Sequence, residues 1–356
     1  MSQTASLSSD QFKSLFLDSE GLIQNLYNYF LTKICEIELS LGQYDFSNLI
    51  ATFTSESIIA IFRSPEVRRV LNQIQVHGSQ AELYGKLIDA TKRSCSCFTT
   101  VNSGSGLATG THPFAIHTWR AIGTSTHDNA FIDSVFQTEL AHLISSESCR
   151  LCVPLDSILA DIADAFKDLS SISSFALKDV LINCRYIAVF EPKSLGGTQN
   201  RIMAKSFTVS SLPMVCFFSE LSFKSYETIF EGLYHEAIHL RFINLNSLFQ
   251  IYSSSYSESS VASFECPWQS TNLNSSNVWS FTRAFNGFDV YSNLLRLYRV
   301  ILSKSFPIRL DIEWVRRRVE EVEMRRSILQ KWLSDKVPQV FTNLGQLYYE
   351  TLVELG

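Results

Sequence analysis

The feature that most constrains this chain is His235-Glu236-Ala237-Ile238-His239, an HExxH pattern inside a helix-forming stretch. Phe230, Leu233, Tyr234, Ile238, Leu240 and Phe242 recur around it at helical spacing, so the two histidines fall at i and i+4 on one face of a single helix. Two imidazoles one turn apart can grip one metal ion. The apolar stripe beside them places the helix in a core, where an imidazole or carboxylate without a partner would be costly. Ser225 to Leu248 holds no proline and a single glycine, Gly232, so the pattern sits mid-helix, as a metal-binding HExxH requires. The other reading of the same residues is a pair of hydrogen-bonded core histidines.

Composition narrows the partner. A chain of 356 residues with 46% apolar and 18% charged residues is an ordinary globular protein, long enough for one large domain or two moderate ones. A formal charge of −5 argues against nucleic-acid binding through broad phosphate attraction, so a small molecule or a peptide is the expected partner. Met1 to Glu20 is polar and Ser-rich with no apolar run of signal-peptide length, and no stretch reaches about 18 uninterrupted apolar residues. A cytoplasmic protein without a membrane span is expected. Its eight cysteines then read as reduced, mostly buried thiols. Cys149-x-x-Cys152 and Cys95-x-Cys97 lack the second CxxC that a structural zinc site needs. The oligomeric state is left open.

Helical periodicity runs through Gln11 to Leu39, Phe46 to Ile74 and Ser79 to Thr91, which together suggest an N-terminal helical layer over residues 1–96. Residues 97–356 are expected to form the HExxH metal-binding catalytic region, continuous with that layer as one globular unit. Cys97 to Thr111 reads as a loop, Trp119 and Ile122 as a short helix, and Phe131 to Ser145 as another helix. Leu151 to Leu155, Arg185 to Phe190 and Ser206 to Phe218 carry strand signals, with Gly196-Gly197 as a turn. Further helices are expected from Phe281 to Lys304, Asp311 to Leu333 and Phe341 to Leu355. The charged residues of Arg316 to Arg326 alternate in sign at i,i+3 and i,i+4, which marks a solvated helix face. The fold class is therefore α+β and predominantly helical: a small sheet packed against the HExxH helix, and a C-terminal helical layer.

Two histidines need at least one more protein ligand. A zinc peptidase would take a glutamate from a later helix and use Glu236 as base on a metal-bound water. Glu258 and Glu265 are the candidates, and both lie in the Ser-rich stretch Ser253 to Ser276 instead of a predicted helix. The longer metzincin pattern is absent, since Arg241-Phe-Ile-Asn-Leu-Asn246 follows the motif.

Several blocks, in order, point elsewhere: Ser206-Phe-Thr-Val-Ser-Ser-Leu-Pro-Met-Val-Cys-Phe-Phe218, Phe230-Glu-Gly-Leu-Tyr-His-Glu-Ala-Ile-His239, Cys266-Pro-Trp268, Phe285-Asn-Gly-Phe-Asp-Val290 and Phe341-Thr-Asn-Leu-Gly345. More loosely, His112-Pro-Phe114 with Trp119, and Thr138-Glu-Leu-Ala141 through Val153-Pro154, fit the same order. The chain resembles the HExxH-type, 2-oxoglutarate-dependent peptide β-hydroxylases, which tailor ribosomally made precursor peptides. That resemblance implies Fe(II) held by His235, His239 and a third histidine from the later helix, with 2-oxoglutarate and O₂ in open positions. The third position is occupied here by Asn286, whose amide oxygen is a weaker ligand, and Asp289 one turn on is its rival. Trp279 stands about where an arginine for the cosubstrate carboxylate belongs, which leaves Arg283 as the nearest substitute for such a clamp. Glu236 would orient a ligand histidine in this setting, or act as a base or as a third ligand. The alternatives are a zinc metallopeptidase and a non-catalytic peptide-binding relative.

Overall fold

The computed structural model describes residues 13, 16, 18–51, 53, 55–77, 81–98, 109–110, 119–122, 127–141, 149–192, 206–269, 277–304 and 306–356. The fold is α+β and predominantly helical, with a small mixed sheet and a separate two-stranded one. The chain divides into two compact units, each assembled from separated stretches: residues 1–22, 162–180 and 225–356 form one, residues 23–161 and 181–224 the other. Residues 96 and 97, where the sequence suggested a boundary, both lie inside the second. Among the described residues no helix is long and apolar enough to cross a membrane.

In chain order the helices are α1 (Ser19–Leu41), α2 (Asp45–Ile50), α3 (Ser55–Phe62), α4 (Pro65–His77), α5 (Ala81–Phe98), α6 (His127–Val135), α7 (Asp156–Ile172), α8 (Ser174–Asn183), α9 (Tyr226–Leu248), α10 (Phe281–Ser303), α11 (Ile312–Ser334), α12 (Val337–Val340) and α13 (Asn343–Leu355). The strands are β1 (Thr109–Gly110), β2 (Trp119–Ala121), β3 (Cys149–Cys152), β4 (Tyr186–Pro192), β5 (Ser206–Phe207), β6 (Val215–Ser219), β7 (Phe264–Glu265) and β8 (Val278–Trp279). A π-helical turn, Phe136–Leu140, continues α6.

The sheet belongs to the unit of residues 23–161 and 181–224, in the order β1-β2-β4-β6-β5, with β3 antiparallel to β4. Parallel pairing of β4 with β2 and β6 makes β4 central, and its residues Tyr186 to Phe190 are fully buried, as a continuous apolar run requires. Phe136 stacks on Phe217 at 5.5 Å between centroids and covers one sheet face with Tyr186 and Phe190. Trp119 to Ala121 is a strand, where the sequence suggested a helix. The backbone N–H groups of Arg120 and Ile122 donate to Arg185 and Ile187, so pairing along β4 overrides the local preference. Cys149 is buried at the start of β3, while Cys152 lies three residues on, on the opposite strand face, its thiol pushed up to about 12 by burial. Cys35, Cys149, Cys152, Cys184, Cys216 and Cys266 are free thiols, and all of them but Cys35 and Cys152 are buried.

The other unit is a helical layer of α9, α10, α11 and α13 with the β7–β8 hairpin. Ser225, Ser280, Asp311 and Thr342 cap the N-termini of those four helices in turn, each accepting a backbone N–H of the first turn. Gly345 opens α13 against Ile251, whose carbonyl oxygen occupies the space a Cβ would need.

Candidate metal centre

Helix α9 is 23 residues long and unbroken, and its motif falls in the middle as the spacing predicts. His235 Nε2 and His239 Nε2 lie 3.2 Å apart, with the rings inclined at 71°. The two nitrogens converge. Metal–nitrogen bonds of about 2.0–2.1 Å at ordinary coordination angles put two imidazole nitrogens roughly 3.0–3.4 Å apart, so the pair fits one ion. The same spacing lets the two nitrogens share a proton, which a metal would replace.

Both side chains keep some surface, yet enough protein surrounds the rings that burial dominates their titration. Burial, reinforced by the positive charge of Arg318, holds His235 down to about 4, and burial with the neighbouring His235 holds His239 down to about 3. At neutral pH both rings are uncharged and offer lone pairs, the state a metal ligand needs.

Glu231 completes a stripe with the histidines, at i−4 from His235. Its carboxylate accepts two hydrogen bonds from Arg318 on α11, at 2.6 and 2.7 Å, and a third from Tyr298 on α10. Three helices thus meet beside the motif. The charge run of α11 hid this residue: Val315, Arg318, Val322, Arg326, Leu329 and Leu333 share a helical stripe, and all but the half-buried Arg318 are buried. Taking the whole run as solvated overlooked two arginines at core positions.

Asn286 lies on α10, the partner helix of α9. Phe285, its neighbour, meets Phe242, three residues beyond His239, with centroids 5.5 Å apart. Asn286 Oδ1 is buried with no hydrogen-bond partner among the described residues, and an amide oxygen in that setting can ligate a cation. Asp289, the rival ligand, has both oxygens engaged: Oδ1 accepts from Asn293 at 2.8 Å and Oδ2 from Tyr348 at 2.8 Å. Among the described residues no group of three or more His, Cys, Asp or Glu comes together with metal-ligand spacing. Glu236 is 2% exposed.

Arg283 is on the surface, its guanidinium 4.9 Å from the centroid of Trp279 and within 3.5 Å of Gln269 Oε1. Glu258 and Glu265 are exposed, on a short 3₁₀ turn and on β7. Of the remaining histidines, His127 bonds Glu66 at 2.7 Å, His77 is exposed, and His112, His117 and His142 lie outside the described residues. No model of a known protein family matches the chain, and no curated protein matches it significantly.

Proposed function

We propose that this protein is a non-haem iron, 2-oxoglutarate-dependent oxygenase that β-hydroxylates a residue of a ribosomally made precursor peptide. The observation that carries this reading is the convergence of two uncharged imidazole nitrogens, 3.2 Å apart on one helix. The ordered blocks that resemble the HExxH peptide β-hydroxylases supply the choice of iron and 2-oxoglutarate. When bound, iron and 2-oxoglutarate would let O₂ deliver one oxygen atom to the peptide carbon and the other to succinate, with loss of CO₂.

The chain's own residues do the rest. His235 and His239 offer Nε2 lone pairs, and Asn286 Oδ1 supports the assignment of an amide oxygen as third ligand, because it is buried and accepts no hydrogen bond among the described residues. An oxygen donor on a facial set with two imidazoles suits iron and leaves positions open. For the cosubstrate carboxylate the resemblance offers Arg283; Arg318, whose charge acts on His235, already gives its three guanidinium nitrogens to Glu231 and Glu321. The peptidase reading gains nothing from the positions of Glu258 and Glu265.

Anaerobic reconstitution with Fe(II) and 2-oxoglutarate tests the proposal. A weak visible charge-transfer band and oxygen-dependent succinate release are expected. Bound zinc with peptide cleavage that Glu236→Gln abolishes would replace the oxygenase with a metallopeptidase. Neither signal, with tight peptide binding, would leave a non-catalytic relative.

A further inference from the structure

We propose that Arg241 and Asp289 are positioning residues that fix the rotation of α9 about its own axis, and with it where the His235 and His239 nitrogens stand; this rests on the metal-site reading above. Arg241 follows His239 by two residues, about 200° around the helix, so it leaves α9 on the side away from the histidines. It is fully buried. Its Nη1 donates to Asp179 Oδ2 on α8 at 3.2 Å, and its Nη2 lies 3.6 Å from Asp289 Oδ1 on α10. One side chain therefore ties the motif helix to two neighbours.

Those anchors are themselves held. Asp179 accepts from Ser19, and the Tyr234 hydroxyl reaches it at 3.5 Å. Asp289 is held by Tyr348 on α13 and by Asn293, one turn along α10. Asp289 also stands one turn from Asn286, so the ion pair sets the helix that carries the histidines against the helix that carries the orphaned amide oxygen. A nitrogen roughly 6 Å from a helix axis moves about 1 Å when the helix turns by about 10°. Metal and catalytic sites tolerate about 0.5 Å. Apolar side chains would fill this core at least as stably as a buried ion pair, so the contribution of the pair lies in orientation. Carboxylates on two neighbouring helices hold the Arg241 guanidinium of α9 between them.

The test is Co(II) binding to the full chain, read by affinity and by the visible d–d spectrum, in Arg241→Lys and in Tyr348→Phe, the latter removing a single hydroxyl as a guard against misfolding. Neither position can be a lost metal ligand. Weakening of Co(II) binding by about 10–100-fold in Arg241→Lys, the range for residues that orient ligands, with an altered d–d spectrum and unchanged far-UV circular dichroism, is expected. Tyr348→Phe should shift the spectrum in the same sense by a smaller amount. Wild-type affinity and spectrum in a folded Arg241→Lys, or in Tyr348→Phe should Arg241→Lys not fold, overturn the positioning role and leave the metal site standing. Failure of the wild-type chain to bind Co(II) or Fe(II) overturns both.

Discussion

Arg318 grips Glu231 through two parallel hydrogen bonds, and Glu231 stands one helical turn ahead of His235 on the same face of α9. The bidentate pair joins α11 to the motif helix at the turn where the metal site begins. Glu231→Gln keeps the shape and removes the charge, leaving a half-buried guanidinium with a poorer acceptor. It should cost about 1–3 kcal/mol of unfolding free energy, measured by urea denaturation of the metal-free protein. An unchanged midpoint would make the pair incidental.

The two arginines can be separated. Arg283→Ala removes a surface guanidinium stacked on Trp279. Arg318 already gives Nε, Nη1 and Nη2 to Glu231 and Glu321, so Arg283→Ala should raise the Kd for 2-oxoglutarate in the iron-loaded protein by at least about 10-fold, the loss of roughly 1.4 kcal/mol or more of a charge-assisted contact, whereas Arg318→Gln should change it by less than about 3-fold. Isothermal titration under argon reads both. The opposite order would move the clamp to Arg318.

The metal-free protein should weaken in acid. Burial depresses His235 to about 4 and His239 to about 3, below the usual 6.5 of an unfolded histidine. Between those values the unfolded chain binds protons that the folded one refuses. Stability is therefore unaffected by this pair above about pH 6.5 and falls as pH drops from there toward 4 and 3, by up to about 1.4 kcal/mol per pH unit for each histidine. Urea midpoints between pH 7 and 5 should fall more in wild type than in a His235→Gln/His239→Gln variant. Equal slopes would mean that the rings are solvated.

Gly345 tests the packing of the C-terminal helix. An added Cβ meets the Ile251 carbonyl and the Phe341 ring, so Gly345→Ala should cost about 1–3 kcal/mol of stability. Thermal unfolding would show it as a lower Tm. A Tm equal to wild type would mean that the N-terminus of α13 shifts freely.

Much of this was legible in the chain. The motif helix within Ser225 to Leu248 follows from an uninterrupted 3.6-residue pattern, and α10, α11 and α13 fall within a residue or two of their expected bounds. Helices α7 and α8 were not anticipated, although Ile158, Ile162, Ala165, Phe166, Leu169 and Ile172 mark a stripe on α7. Strand β2 was misread because its three residues gain their order from β4, far along the chain. Asp289 looked like a free carboxylate one turn from Asn286, but its partners Tyr348 and Arg241 are 59 and 48 residues away in sequence and no local pattern announces them. The same holds for the assembly of each unit from stretches far apart in sequence. Arg318 is legible in the chain as well, because it falls on the stripe that Val315 and Val322 define.

The most direct measurement is the iron content of the anaerobically reconstituted protein after desalting, beside His235→Gln and His239→Gln variants shown by circular dichroism to be folded. About one Fe(II) per chain in the wild type, and affinity reduced by at least about 100-fold in each variant, is expected. Iron retained equally by wild type and variants, or by none of them, would contradict a metal ion shared between these two rings.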